Sequence, residues 1–108
     1  MEIFKQLNKL GYKHYVDLTI EELDKLPIDR IKRRIECSLI IDWFREKHKI
    51  DIYPEPTYSL TEYSFKVITV HGKSKKQEYW DGMGKTYNTY QEAREQAILK
   101  AIELIKEK

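Results

Sequence analysis

The chain has 108 residues, 41% of them hydrophobic and 35% charged, which is one domain's worth of sequence with material for a real core. Its 20 basic and 18 acidic residues leave a formal charge of +2, too little for a global field that draws nucleic acid. The single cysteine, Cys37, excludes an internal disulfide.

Phe4, Leu7 and Leu10 share one face of a short first helix, and Gly11 follows where a helix end favours a left-handed residue. Thr19-Ile20-Glu21-Glu22 reads as a capping box: the threonine oxygen accepts from a free amide and Glu22 reaches back to another. Leu23 and Leu26 continue that second helix, and Pro27 ends it. Residues 1–28 are thus expected to form a helical extension to a domain at 29–108.

A long helix is expected from about Asp29 to Lys49, with Ile31, Ile35, Leu39 and Trp43 spaced by four. Ile40, Ile41 and Phe44 broaden its apolar stripe, so it should be covered on more than one side. In this reading Ile31 and Ile35 turn inward and the adjacent cations turn to solvent. Pro54 and Pro56 suit an extended edge segment. Tyr63 to Val70 is the clearest strand, with Tyr63, Phe65 and Val67 on one side. A polar loop from His71 to Lys76 leads into a returning strand, Gln77 to Trp80. Gly82 and Gly84 then mark a turn.

Thr89-Tyr90-Gln91-Glu92 is a second capping box, opening a last helix. Ala93, Ala97, Ile98, Ala101, Ile102 and Ile105 form its apolar face, and the alanines allow close approach to a neighbour. The expected class is α+β: a small antiparallel three-stranded sheet, two long helices on one face, and short N-terminal helices.

Pro56-Thr57-Tyr58, the Phe65 to Val70 run, and Asp81-Gly82-Met83-Gly84 before an alanine-lined helix resemble the double-stranded RNA-binding domain in layout. That resemblance implies an α-β-β-β-α order. The final helix opens on Tyr90, Gln91 and Glu92 where that family concentrates lysines, so what it implies concerns topology. Gln77-Glu78-Tyr79-Trp80 leading to Tyr87-Asn88-Thr89-Tyr90-Gln91-Glu92-Ala93, with Ile41-Asp42-Trp43-Phe44-Arg45-Glu46 upstream, is similar to a group of small phage- and prophage-encoded proteins. This second resemblance covers roughly residues 35–106 and implies a setting without a mechanism.

Two basic clusters are candidate phosphate contacts: Arg30, Lys32, Arg33 and Arg34 at the start of the long helix, and Lys73, Lys75 and Lys76 in the hairpin loop. Arg94 is the one basic group at the start of the last helix. Cations in a first helical turn oppose the helix dipole, which favours a role outside folding. The chain also carries 8 tyrosines, and an aromatic open sheet face would mark an interface. Tyr63, Tyr79 and Trp80 are the candidates there.

His14, His48 and His71 show no metal-ligand spacing, and Cys37 reads as a buried thiol. Asp42 and Glu46 read as surface charge, and Gly82-x-Gly84-Lys85-Thr86 lacks phosphate-loop spacing. No nucleophile, base and orienting group assemble, so neither an enzyme nor a cofactor or metal is expected. No apolar run nears the ~20 residues of a membrane span, and the N-terminus lacks a signal core. Together these lead to a cytoplasmic, non-catalytic binding protein. A protein partner or self-association comes first, and double-stranded RNA or DNA on the basic clusters is the alternative.

Overall fold

The computed structural model describes residues 2–57, 62–71, 76–81 and 86–106, and for residues 70, 71 and 76–81 it describes the backbone alone. The class is α+β. Helices α1 (Ile3–Lys9) and α2 (Ile20–Lys25) precede α3 (Ile31–Trp43), which continues into a π-helical turn, Phe44–His48. Strands β1 (Ile50–Pro56), β2 (Tyr63–His71) and β3 (Lys76–Asp81) follow, then α4 (Tyr90–Lys106).

The local chemistry sets most of these boundaries. Thr19 caps α2 with a complete capping box, its side chain accepting from the Glu22 amide while the Glu22 carboxylate accepts from the Thr19 amide. Lys49 ends the π-helical turn in the left-handed region at φ 57°, which reverses the chain into β1. Thr89 holds the Glu92 amide at 3.1 Å at the start of α4.

β2 pairs antiparallel with both β1 and β3. Pro54 and Pro56 are tolerated because β1 has β2 on one side only. In register, Ile50 opposes Thr69 and Ile52 opposes Val67. These four side chains and Phe65 are buried, so this is the face the helices cover. α4 crosses it against β1 and β2, with Ala93, Ala97 and Ala101 fully buried. Glycine-sized clearance is unnecessary; a methyl group every turn is what permits the close approach.

The helical extension shares this core. Ile3, Phe4, Leu7 and Tyr12 cluster with Ile40, Phe44, Ile98 and Ile102. Polar groups reinforce the contact, since the Asp24 carboxylate accepts from the Phe4 amide at 2.8 Å and the Lys5 amide at 3.1 Å. That carboxylate serves two of the donors α1 cannot satisfy within its own first turn.

The face of α3 that turns inward differs from the expected one. Arg33, Glu36, Cys37, Ile40 and Phe44 are buried, whereas Ile31 and Ile35 are 70% and 49% exposed. The reason is helical geometry. Each step of four residues advances about 40° around the axis, so a row spaced by four spirals off any single face. Ile31 and Ile35 lie at the outward end of that spiral, and Leu39 and Trp43 are half-buried further along it.

Candidate protein-docking surface

The exposure of Ile31 and Ile35 follows from what fills the inner face in their place. Arg33 reaches across to α4 and grips Glu95 with two parallel bonds, Nε to Oε2 at 2.7 Å and Nη2 to Oε1 at 2.6 Å. Its remaining nitrogen donates to the carbonyls of Leu23 at 2.9 Å, Asp24 at 3.2 Å and Leu26 at 3.0 Å. Those carbonyls close the C-terminal end of α2, where a helix has no internal donors left. The Glu95 carboxylate raises the Arg33 guanidinium above its ordinary pKa. One side chain therefore ties α2, α3 and α4 together.

Glu36 does the same for the segment between α1 and α2. Its Oε1 accepts from the Tyr15 amide at 2.8 Å and the Val16 amide at 2.9 Å, and its Oε2 accepts from the Tyr12 hydroxyl. Burial, then the bond and the charge of Glu36, hold the Tyr12 phenol far above its usual range. Cys37 lies between these groups with Gln91 Nε2 at 3.3 Å. Burial pushes its thiol up to about 12. A thiol so protonated is a poor nucleophile.

Arg94 completes the polar interior. It donates through Nε to Gln91 Oε1 at 3.0 Å, through Nη1 to Ser38 Oγ at 2.9 Å and through Nη2 to the Arg34 carbonyl at 3.2 Å, with a further Nη2 bond to Gln91 Oε1. Its guanidinium carbon lies 5.3 Å from the centre of the Tyr90 ring. Among the described residues, all its hydrogen-bond acceptors are neutral.

The sequence-derived cations therefore divide. Arg33 and Arg94, expected as phosphate contacts, are buried and engaged in internal bonds, which corrects that expectation. Arg30, Lys32 and Arg34 are exposed, and among the described residues none of them forms an ion pair. Lys73 and Lys75 lie outside the described residues, as does the side chain of Lys76 at the start of β3.

The aromatic candidates divide too. Tyr63 sits on the helix-covered side, half-buried, with its ring edge-on to Tyr90 at 6.0 Å. Its backbone exchanges two 2.8 Å bonds with Tyr87. The sheet residues that alternate with the buried ones are Asp51, Tyr53, Glu55, Ser64, Lys66 and Ile68. Glu55 and Lys66 pair there at 3.3 Å, and Tyr53 is 42% exposed. So among the described residues the uncovered sheet face is mainly polar, and the expectation that Tyr63 lies on an open aromatic face is corrected. Tyr79 and Trp80 lie opposite Ile68 and Val67 in register, and their side chains lie outside the described residues.

What remains outward-facing and apolar is the first half of α3. Ile31 separates two depressions. One is lined by Leu18, Leu26, Pro27 and Ile31 with Asp29, Arg30 and Lys32 at its margin. The other is lined by Ile31, Arg34, Ile35, Ser38 and Arg94. A third adjoins at Arg34 and runs to Tyr90 and Glu92. Two isoleucines one turn apart, Ile31 bordering both hollows and Ile35 the second, give the kind of relief into which another helix packs. Among the described residues no group of three or more His, Cys, Asp or Glu side chains is placed to hold a metal. No described helix is long and apolar enough to cross a membrane.

Compared with protein-family models, with curated proteins and with solved structures, the chain matches none.

Sequence reasoning missed this surface because it counted Ile31 and Ile35 as core. The one signal that could have found it is the spacing of Arg33, Glu36, Cys37, Ile40 and Phe44, which is a regular helix face once two charged residues are allowed on it.

Proposed function

We propose that this chain is a non-catalytic binding protein that works by occupying the surface of a partner protein, and that Ile31 and Ile35 are the centre of its contact. The observation that carries the reading is their exposure, 70% and 49%, on a helix whose inner face takes in Arg33 and Glu36 beside Cys37, Ile40 and Phe44. Two large aliphatic side chains one turn apart, beside hollows of mixed apolar and charged lining, lose water on contact at about 25 cal/mol per Å². The resemblance to small phage and prophage proteins and an α-β-β-β-α layout are consistent with a compact module of this kind. The engagement of Cys37, Glu36 and Glu95 in buried structural bonds favours binding over catalysis by these groups.

The test compares partners retained by the wild-type chain and by an Ile31→Glu/Ile35→Glu variant of equal melting temperature. Loss of the retained partner supports the reading, and undiminished retention refutes the site. The second reading, binding of double-stranded RNA or DNA, is favoured by the exposed Arg30, Lys32 and Arg34, which form no ion pair among the described residues. It predicts a gel shift at ~50 mM salt that fades steeply as salt rises.

A further inference from the structure

Resting on that reading, we infer that the occupant of the Ile31–Ile35 surface is an acidic amphipathic helix, with a carboxylate seated at Arg34 and Arg94. Three observations select this chemistry. The first is shape, since two isoleucines one turn apart, Ile31 bordering both hollows and Ile35 the second, accept the side-chain rows of a helix laid along them.

The second is charge. Arg30, Lys32 and Arg34 stand exposed around the ridge, against Asp29 and Glu92 at the margins of the hollows. Glu22 also lies within electrostatic reach of Lys32. With Arg94 counted, four cations stand against these three carboxylates, so the balance over the ridge is cationic. A second copy of this chain meeting the same face would set these cations against themselves, because a two-fold contact repeats each patch on both sides.

The third is Arg94. It is 7% exposed and lines the hollow beside Ile35. Its bonds go to Gln91, Ser38 and the Arg34 carbonyl, none of them anionic, and they use four of the five N–H groups a guanidinium carries. A buried cation that, among the described residues, bonds no carboxylate and has an N–H to spare, on the wall of a hollow it shares with Ile31, Ile35, Ser38 and Arg34, is positioned for an anionic group brought by a partner. Arg33, one residue before Arg34, shows the contrast. It is as buried, and a carboxylate of this same chain already completes it.

The experiment is a titration of the full chain with two synthetic 18-residue helical peptides, followed by amide NMR shifts. Both carry leucines spaced three and four apart. One flanks them with glutamates and its twin with lysines. The glutamate peptide is expected to shift the amides of Ile31, Arg34, Ile35 and Arg94, and to bind at least about tenfold more tightly than its twin. Arg34→Gln should narrow that ratio, and Ile31→Ser/Ile35→Ser should abolish binding of both peptides.

Equal binding of both peptides at this face overturns the acidic partner while leaving the docking surface standing. No shift of these amides by the glutamate peptide at ~1 mM overturns the inference outright. Concentration-dependent dimerisation abolished by Ile31→Ser/Ile35→Ser identifies a second copy as the occupant and overturns it. So does displacement of the glutamate peptide by duplex RNA or DNA. The Ile31→Glu/Ile35→Glu retention assay judges the underlying reading separately, since it needs no assumption about the partner's charge.

Discussion

Replacing Arg33 by methionine should be among the most damaging single changes this chain can suffer, although the residue sits in a run of surface-like basic residues. The substitution keeps an unbranched stem of similar reach, which limits the cavity beside Phe4, whose ring centre lies 5.2 Å from the Arg33 guanidinium carbon. What it removes is five hydrogen bonds, two to Glu95 and three to the end of α2. Glu95, 5% exposed, is left with Gln91 Nε2 at 2.8 Å as its remaining strong donor. Breaking one side of a buried ion pair costs about 3–5 kcal/mol. Against a total of roughly 5–15 kcal/mol for a domain, that is a large share of its stability. At about 4–8 °C per kcal/mol for chains of this class, the melting temperature should fall by roughly 12–40 °C. Urea unfolding followed by circular dichroism measures the loss directly, with an unchanged m-value showing that the comparison is two-state. Arg34→Met, one residue along and exposed, should stay within about 0.5 kcal/mol of wild type. A double variant, Arg33→Met/Glu95→Met, should recover much of the loss, because no uncompensated charge remains buried. If Arg33→Met costs under ~1 kcal/mol, or no more than Arg34→Met, the reasoning about this pair fails.

Ile40→Ala should cost about 2–5 kcal/mol, whereas Ile35→Ala should stay near neutral, a contrast measurable in the same urea series. Thr19→Ala should cost about 1 kcal/mol through the lost cap of α2. Stability should decline at alkaline pH. Cys37 and Tyr12 both have pKa values raised by folding, so their contribution is complete below their unfolded values and is lost as pH rises. The Cys37 component is lost between about 9 and about 12. Its slope is at most about 1.4 kcal/mol per pH unit, and a Cys37→Ala variant should lack it. In the native state Cys37 should react with a thiol reagent only at the rate of transient opening, which a labelling series in urea checks.

The backbone plan was legible because it rests on local chemistry. Thr19 with Glu22, and Thr89 with the Glu92 amide, announce helix starts whatever surrounds them. The two prolines of β1 restrict that strand to an edge, and Ala93, Ala97 and Ala101 foretell a helix pressed against a neighbour. The α+β class follows from such signals, each requiring no more than a few adjacent residues.

Which face of α3 turns inward is a different kind of fact. A charged side chain is read as exposed because an isolated buried charge is prohibitively costly, and nothing within a helix's own sequence reveals the distant group that cancels that cost. Arg33 depends on Glu95, 62 positions away, and Glu36 depends on Tyr12, 24 positions away. Once those partners are in place the inner face accommodates two ionisable residues, and Ile31 and Ile35 are displaced into solvent. The amino-acid order settled the helices, the strands and their caps, since those are short-range properties of the chain. The tertiary structure alone decided which cations are structural and which apolar groups are left for a partner, since both depend on pairings made only when the chain has closed.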